Sequence, residues 1–219
     1  SNGQTITDSF TVTVNPVNDT ATISGESSGN VVEAGGVNNE TLLGIPTANG
    51  TLTVTDVDTG ESVFQTFTEG VGTYGTLSFT NTTGEWSYTL NNSVADPLTL
   101  DEGVTDSFTV TSFDGTANQT ITISITGAND DATISGTKTG NVTEDDGAQS
   151  TATGTLTVTD VDTGEAKFQT LSNSEGIYGT LDFNKGDWTY TLDNTKSATK
   201  SLNENATVTD SFTVTSFDN

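Results

Sequence analysis

Two carboxylates one residue apart occur twice in the same surroundings. Asp56-Val57-Asp58 lies in the string GTLTVTDVDTGE at 50–61, and Asp160-Val161-Asp162 lies in an identical string at 154–165. In an extended segment, side chains two apart share one side, so each Asp-x-Asp presents paired oxygens. Further oxygen donors cluster at Asn18-Asp19 and at Asn129-Asp130-Asp131, with single acids at Glu33, Asp114, Glu144 and Asp218. Hard carboxylate, amide and backbone oxygens in such numbers suit Ca²⁺, which takes roughly six to eight of them. The competing role is local, because Asp and Asn in loops commonly hydrogen-bond their own backbone to form turns.

The elements that would position these groups are strands. Leu52 and Val54 alternate with Thr51, Thr53 and Thr55; Trp86, Tyr88 and Leu90 alternate with Ser87 and Thr89. Phe108 and Val110 share a face, as do Ile121, Ile123 and Ile125. Period-two alternation marks half-buried strands, and Asp-Thr-Gly, Thr-Gly-Glu and Asp-Gly separate them as turns. No useful helical periodicity is present. Short strands at this spacing, in a unit of roughly a hundred residues, predict a β-sandwich.

The unit is repeated. The string at 50–61 returns 104 positions later; Tyr74-Gly-Thr-Leu returns as Tyr178-Gly-Thr-Leu, and Val104-Thr-Asp-Ser-Phe as Val208-Thr-Asp-Ser-Phe. The Asn18 to Gly25 segment returns at Asn129 to Gly136 with an offset of 111, so the first copy carries a longer connection after Gly36. These boundaries divide the chain into 1–17, a last strand of a preceding repeat with its linker; 18–129, a first sandwich; and 130–219, a second sandwich without its final strand. The chain begins and ends inside repeat material, so it reads as an excerpt of a longer polypeptide. Gly3 to Val14 occupies the place that Asp114 to Ile125 occupies in the first repeat. A spare strand and a gap of the same kind allow strand exchange between copies through residues 3–14; simple fraying or truncation is the competing explanation.

Strand parity gathers the acids. With the first strand starting at the top of a seven-stranded sandwich, the loop after the second strand is at the top. The turn before the last strand and the incoming linker are there too. Asp56, Asp58 and Asp114 should therefore meet Asn18 and Asp19, and Asp160, Asp162 and Asp218 should meet Asn129, Asp130 and Asp131. Glu33 and Glu144 follow the first strand and lie at the bottom, so Glu33 should face the linker at Asn129 to Asp131. Asp106 and Asp210 precede strands and read as corner caps.

Charge narrows the partners. Thirty acids face five Lys, for a net charge of −25, and Lys138 is the first cationic side chain. Phosphate contacts need Lys or Arg, so nucleic acid is excluded as a partner. No apolar run is long enough to span a membrane. Without His or Cys, the general bases and nucleophiles of most hydrolases are missing. Carboxylate pairs are abundant, but none stands out as a glycosidase pair. The chain reads as no enzyme. Thin cores without disulfides need another source of stability, and bound cations would supply it.

The run GTLTVTDVDTGE, Tyr-Gly-Thr-Leu, Gly-Glu-Trp-Ser-Tyr-Thr-Leu, VTDSFTVTSFDGT and ITISITGANDDATISG closely resembles the VCBS repeat. The resemblance covers about 110 residues once and about 90 again. It implies tandem immunoglobulin-like or cadherin-like Greek-key β-sandwiches, all-β, in the stalk of a giant bacterial surface adhesin of the repeats-in-toxin type. Such proteins leave by type I secretion and hold cells to surfaces or biofilms. As in cadherins, acids of adjoining repeats and an Asn/Asp-rich linker would share Ca²⁺, with neighbouring repeats of the same polypeptide as the partners. The alternative is a module that grips carbohydrate, ice or a host protein, whose signature would be regular Thr rows on a flat face.

Overall fold

The computed structural model describes residues 3–36, 41–68, 70–171 and 174–218. Nearly all regular structure is β. The first unit begins with β1 (Thr22–Gly25), β2 (Ser28–Val32) and β3 (Thr47–Thr55), followed by β4 (Gly75–Phe79) and β5 (Glu85–Leu90). After a one-turn helix α1 (Asn92–Ala95) come β6 (Gly103–Thr111) and β7 (Asn118–Thr126). One sheet has the order β1-β3-β5-β4, all antiparallel; the other has the order β2-β7-β6. In the second sheet β2 runs parallel to the central β7, and β6 runs antiparallel to it.

The alternation read from the sequence is the alternation that buries. Trp86, Tyr88 and Leu90 point inward from β5, and Ile121, Ile123 and Ile125 from β7, while the Thr and Ser between them are more exposed. The inward residues of both sheets form one core with Leu52, Val54, Leu77, Phe108 and Val110, which is the immunoglobulin-like sandwich arrangement. The Trp86 indole N–H donates to the Glu26 carbonyl at 2.7 Å, so the largest core side chain carries no unsatisfied polar atom.

The second unit repeats the first sheet. Its elements are β8 (Thr133–Gly136), β9 (Thr151–Thr159), β10 (Ser174–Glu175), β11 (Gly179–Asn184) and β12 (Asp187–Leu192), with a one-turn helix α2 (Ser197–Lys200). The sheet order is β10-β11-β12-β9-β8. Among the described residues, 139–143 and 207–215, the counterparts of β2 and β6, lie in no ladder. The core there has Leu156, Leu181 and Phe183 buried, with Trp188, Tyr190, Phe212 and Val214 only partly covered. Residues 3–20 belong to no strand or helix and are exposed.

Candidate metal centres

Among the described residues there are three clusters of carboxylates, each with its oxygens within 4.8 Å of one another: Asp56, Glu61 and Asp114; Asp160, Glu165 and Asp218; and Glu33, Asp96 and Asp130. The first is built from the loop after β3 and the turn between β6 and β7. Asp56 Oδ1 accepts the Asp58 backbone N–H at 2.8 Å, which folds the loop back on itself. Asp58 Oδ2 in turn accepts the Asp19 N–H at 2.8 Å, tying the linker to the loop. Asp114 accepts from the Ser112 and Thr116 hydroxyls, both at 2.6 Å, and from the Asn18 amide at 3.1 Å. The Ser112 and Thr116 bonds, ahead of the cost of burial and the Asn18 bond, hold the Asp114 carboxyl below its usual range.

The second cluster repeats this arrangement. Asp160 Oδ1 accepts the Asp162 N–H at 2.9 Å, and Asp162 Oδ2 accepts the Asp130 N–H at 3.0 Å. The Asn129 amide reaches Asp218 at 3.4 Å. The third cluster lies at the bottom of the first unit, against the same linker. Glu33 is fully buried, and its Oε2 accepts the Ala128 N–H at 3.1 Å. Asp96, just past α1, is held by the Asn92 amide at 2.8 Å.

Backbone contacts close the junction. The Gly36 N–H donates to the Asn129 carbonyl at 2.7 Å, and the Thr163 N–H donates to the Pro97 carbonyl at 3.1 Å. Gly36 has φ of +80°, which a side chain would strain. At Gly35 a Cβ would strike the Asn129 carbonyl. Glycine is what lets the two segments come this near.

The electrostatics are one-sided. Burial, opposed by the Ala128 amide and reinforced by Asp130, Asp96 and Asp162, pushes Glu33 up to about 7. Burial and then the charges of Asp162 and Asp96 push Asp130 up to about 6. Burial, partly offset by the Asp130 amide and joined by Asp160 and Glu165, pushes Asp162 up to about 6. Burial also raises Asp160, Glu61 and Glu165; Lys167 eases only the last of these, and its ammonium lies 3.8 Å from the centre of the Phe217 ring. The one ion pair among the described residues, Lys196 with Glu175, is elsewhere.

These residues fit a divalent cation. Glu33 Oε1, Asp130 Oδ2 and Asp162 Oδ1 are buried without a hydrogen-bond partner, as are Asp56 Oδ2, Glu61 Oε2, Asp160 Oδ2 and Asp218 Oδ1. A buried carboxylate oxygen without a donor is costly, and an all-oxygen donor set is what Ca²⁺ takes.

The sequence-predicted residues fall into three groups. Asp56, Asp114, Asp160, Asp218, Glu33 and Asp130 lie in the clusters. Asn18, Asp58, Asn129 and Asp162 are hydrogen-bonded to the clusters or to the linker beside them, whereas Asp19 contributes its backbone N–H. Asp131 donates its N–H to the Gly36 carbonyl at 3.4 Å and joins no cluster, and Glu144 joins none among the described residues. Sequence reasoning missed Glu61, Glu165 and Asp96. The two Glu were visible as the invariant end of the copied GTLTVTDVDTGE string. Asp96 left no such trace.

Residues 18–127 match the model of the bacterial cadherin-like domain. Among solved structures, the extracellular cadherin domains 1–4 of protocadherin gamma B7 are similar at 14% identity and a TM-score of 0.37, over 80% of this chain. The chain spans 41% of that structure's length. A comparison with curated proteins finds no match.

Proposed function

This chain belongs to the bacterial cadherin-like domain family, and from that premise we propose that it is a calcium-stiffened spacer of a large bacterial surface adhesin. The family is one of extracellular, adhesion-type repeat modules without enzymatic activity, and among the described residues no helix is long and apolar enough to cross a membrane. The finer reading is ours: VCBS-type repeats in a repeats-in-toxin adhesin, exported by type I secretion, that give length and rigidity to cell or biofilm attachment.

One observation carries the reading. At the junction, Glu33 from the first unit, Asp130 from the linker and Asp162 from the second unit are buried together, each with an oxygen lacking a hydrogen-bond partner. Glu33, Asp96 and Asp130 would hold one ion; Asp160, Glu165 and Asp218 would hold another; and Asp56, Glu61 and Asp114 a third. Calcium would supply positive charge and take these carboxylate oxygens as ligands. Asp130 and Asp162, linked by the hydrogen bond from the Asp130 N–H to Asp162 Oδ2, tie the two junction clusters together. With their repulsion neutralised, these side chains resist bending of the linker, and binding only to the folded form adds stability by mass action.

A ligand-gripping module finds no favouring observation. An aromatic patch in one unit alone would favour it, but the outward aromatics Phe113 and Phe217 are at corresponding positions in both.

Calorimetric titration with Ca²⁺, with melting and small-angle scattering in calcium and in chelator, tests the proposal. The expected result is saturable binding, a higher melting temperature and a longer, stiffer particle in calcium. Unchanged melting and dimensions would overturn it.

A further inference from the structure

The two copies of the Asp-x-Asp loop differ by one charge. The strings GTLTVTDVDTGESVF and GTLTVTDVDTGEAKF agree as far as the Glu, and two residues beyond it Val63 of the first unit becomes Lys167 in the second. The backbone around this position is the same in both. The Val63 N–H bonds the Glu61 carbonyl, and the Lys167 N–H bonds the Glu165 carbonyl. Phe64 bridges Ser112 as Phe168 bridges Ser216. The Gln65 amide donates to the Phe113 carbonyl, and the Gln169 amide to the Phe217 carbonyl, both at 3.2 Å. The Phe113 and Phe217 rings are exposed and belong to neither core. Lys167 and Phe217 therefore stand on a frame that the closed first unit builds as well.

The Lys167 ammonium lies beside the Asp160, Glu165 and Asp218 cluster without joining it. It sits 3.8 Å from the centre of the Phe217 ring and makes no ion pair among the described residues. The lysine is two residues from Glu165, and the ring belongs to the residue before Asp218. Asp160 and Asp218 oppose the ionised form of Glu165, and Lys167 favours it. In the first unit Asp58, Asp56 and Asp114 all oppose ionised Glu61, and no cation answers them, since Lys138 is the first in the chain. An aromatic face attracts an ammonium through its quadrupole, here against the pull of three carboxylates.

We propose that Lys167 is a tethered rival to the metal at the Asp160, Glu165 and Asp218 cluster, and that Phe217 holds its ammonium back from the carboxylates. With a divalent cation bound, a positive charge fixed nearby weakens its hold. With the cation gone, the same charge relieves part of the repulsion among the carboxylates. This cluster therefore releases its ion at a higher calcium concentration than it would with the valine of the first unit, and the junction loses less when it does. The inference rests on the calcium reading above and adds what sets the affinity of one site.

Calorimetric titration with Ca²⁺ at low salt, with melting in chelator at pH 8, decides it. Lys167→Gln should tighten binding at one site about three- to tenfold, the effect of one exposed charge on a divalent ion, and should melt lower in chelator. That gain should shrink as salt rises. Lys167→Arg keeps the charge and should match the parent chain in both measurements. Phe217→Leu frees the ammonium to reach the carboxylates and should weaken binding. Val63→Lys should carry the weakening to the first cluster. The proposal is overturned if Lys167→Gln binds and melts as the parent does, if Lys167→Arg behaves like Lys167→Gln, or if Phe217→Leu tightens binding. The parent's own titration separates the two readings. A parent that takes up no calcium removes both, whereas a parent that binds it alongside an unchanged Lys167→Gln removes this one alone.

Discussion

Asp58 and Asp162 hold the same post in two copies of one loop, and each accepts the backbone N–H of the linker Asp before it, at 2.8 and 3.0 Å. Their surroundings differ. Asp58 and Asp19 stand where an exposed arm joins the first unit, and Asp19 is itself exposed. Asp162 and Asp130 are 2% and 3% exposed, because the bottom of the first unit closes over them with Glu33, Asp96 and Pro97. An identical string therefore yields an open acidic loop in one place and a buried, over-charged centre in the other. The motif supplies the oxygens, and the neighbouring unit removes the water.

The sharpest break of this comparison is a matched pair of substitutions. On the proposed calcium reading, Asp130→Asn should weaken binding at the Glu33, Asp96 and Asp130 cluster at least about tenfold, given the decades of affinity that ligand charge spans. Asp19→Asn, at the equivalent position, should change affinity little, since its backbone N–H makes the contact. Calorimetric titration of both variants checks this; equal losses would mean that the preceding unit contributes nothing.

Removal of metal should expose the same asymmetry through pH. Glu33, Asp130 and Asp162 all have folded-state values above their ordinary ones, at about 7, 6 and 6. A raised carboxyl binds its proton more tightly in the folded state, so its contribution is present at low pH and is lost as pH rises through the folded value. In chelator, the chain should be more stable at pH 5 than at pH 8, the loss running from the ordinary carboxyl range near 4 up to about 7. Melting curves across that range check the slope. Asn at both Asp130 and Asp162 should flatten it.

The two cores offer a second contrast. Leu52 is 1% exposed inside a closed sandwich, and its copy Leu156 is 9% exposed in a core whose Trp188, Tyr190, Phe212 and Val214 are only partly covered. Leu52→Ala should cost about 2–5 kcal/mol, as cavity formation in a closed core does. Leu156→Ala should fall at or below the low end, because a half-open core can relax into the space. Urea unfolding with calcium present separates them.

Much of this was legible in the sequence. Alternation located β3, β5 and β7, since each has one wet face and one dry one. Counting strand direction puts Asp56 with Asp114, Asp160 with Asp218, and Glu33 with Asp130, and the structure has them together. Glu61 and Glu165 were passed over because they close a string already read as a turn. Asp96 was hidden for a different reason. Backbone bonds from Leu98 to Ala95 and from Leu202 to Thr199 align α1 with α2, and on that alignment Lys200 stands where Asp96 stands. A reading that trusts what the copies share cannot see an acid that one copy replaces with a cation. The short helices escaped because four residues show no periodicity.

The smallest contrast concerns a pair of phenols, each bonded to a carboxylate. Tyr88 donates to Asp106 at 2.7 Å, and Asp106 also accepts the Thr73 and Tyr74 amides, bracing the turn before β4. Tyr190 donates to Asp210 at the same distance, and Asp210 accepts three amides, from Ile177, Tyr178 and Gly179. Burial raises the Asp210 carboxyl, but the Tyr190 hydroxyl and those amides outweigh it and bring the net value below the ordinary one. Burial first, and the Asp partner second, push both phenols above their usual range. Tyr88→Phe leaves a carboxylate that is 4% exposed with two donors, and should cost about 1.5–3 kcal/mol, the range for hydrogen bonds to charged groups. Tyr190→Phe leaves three donors around a more exposed carboxylate, and should cost about 1 kcal/mol. If urea unfolding gives equal losses, the amide count does not set the difference, and the openness of the second core does not reach as far as its corner.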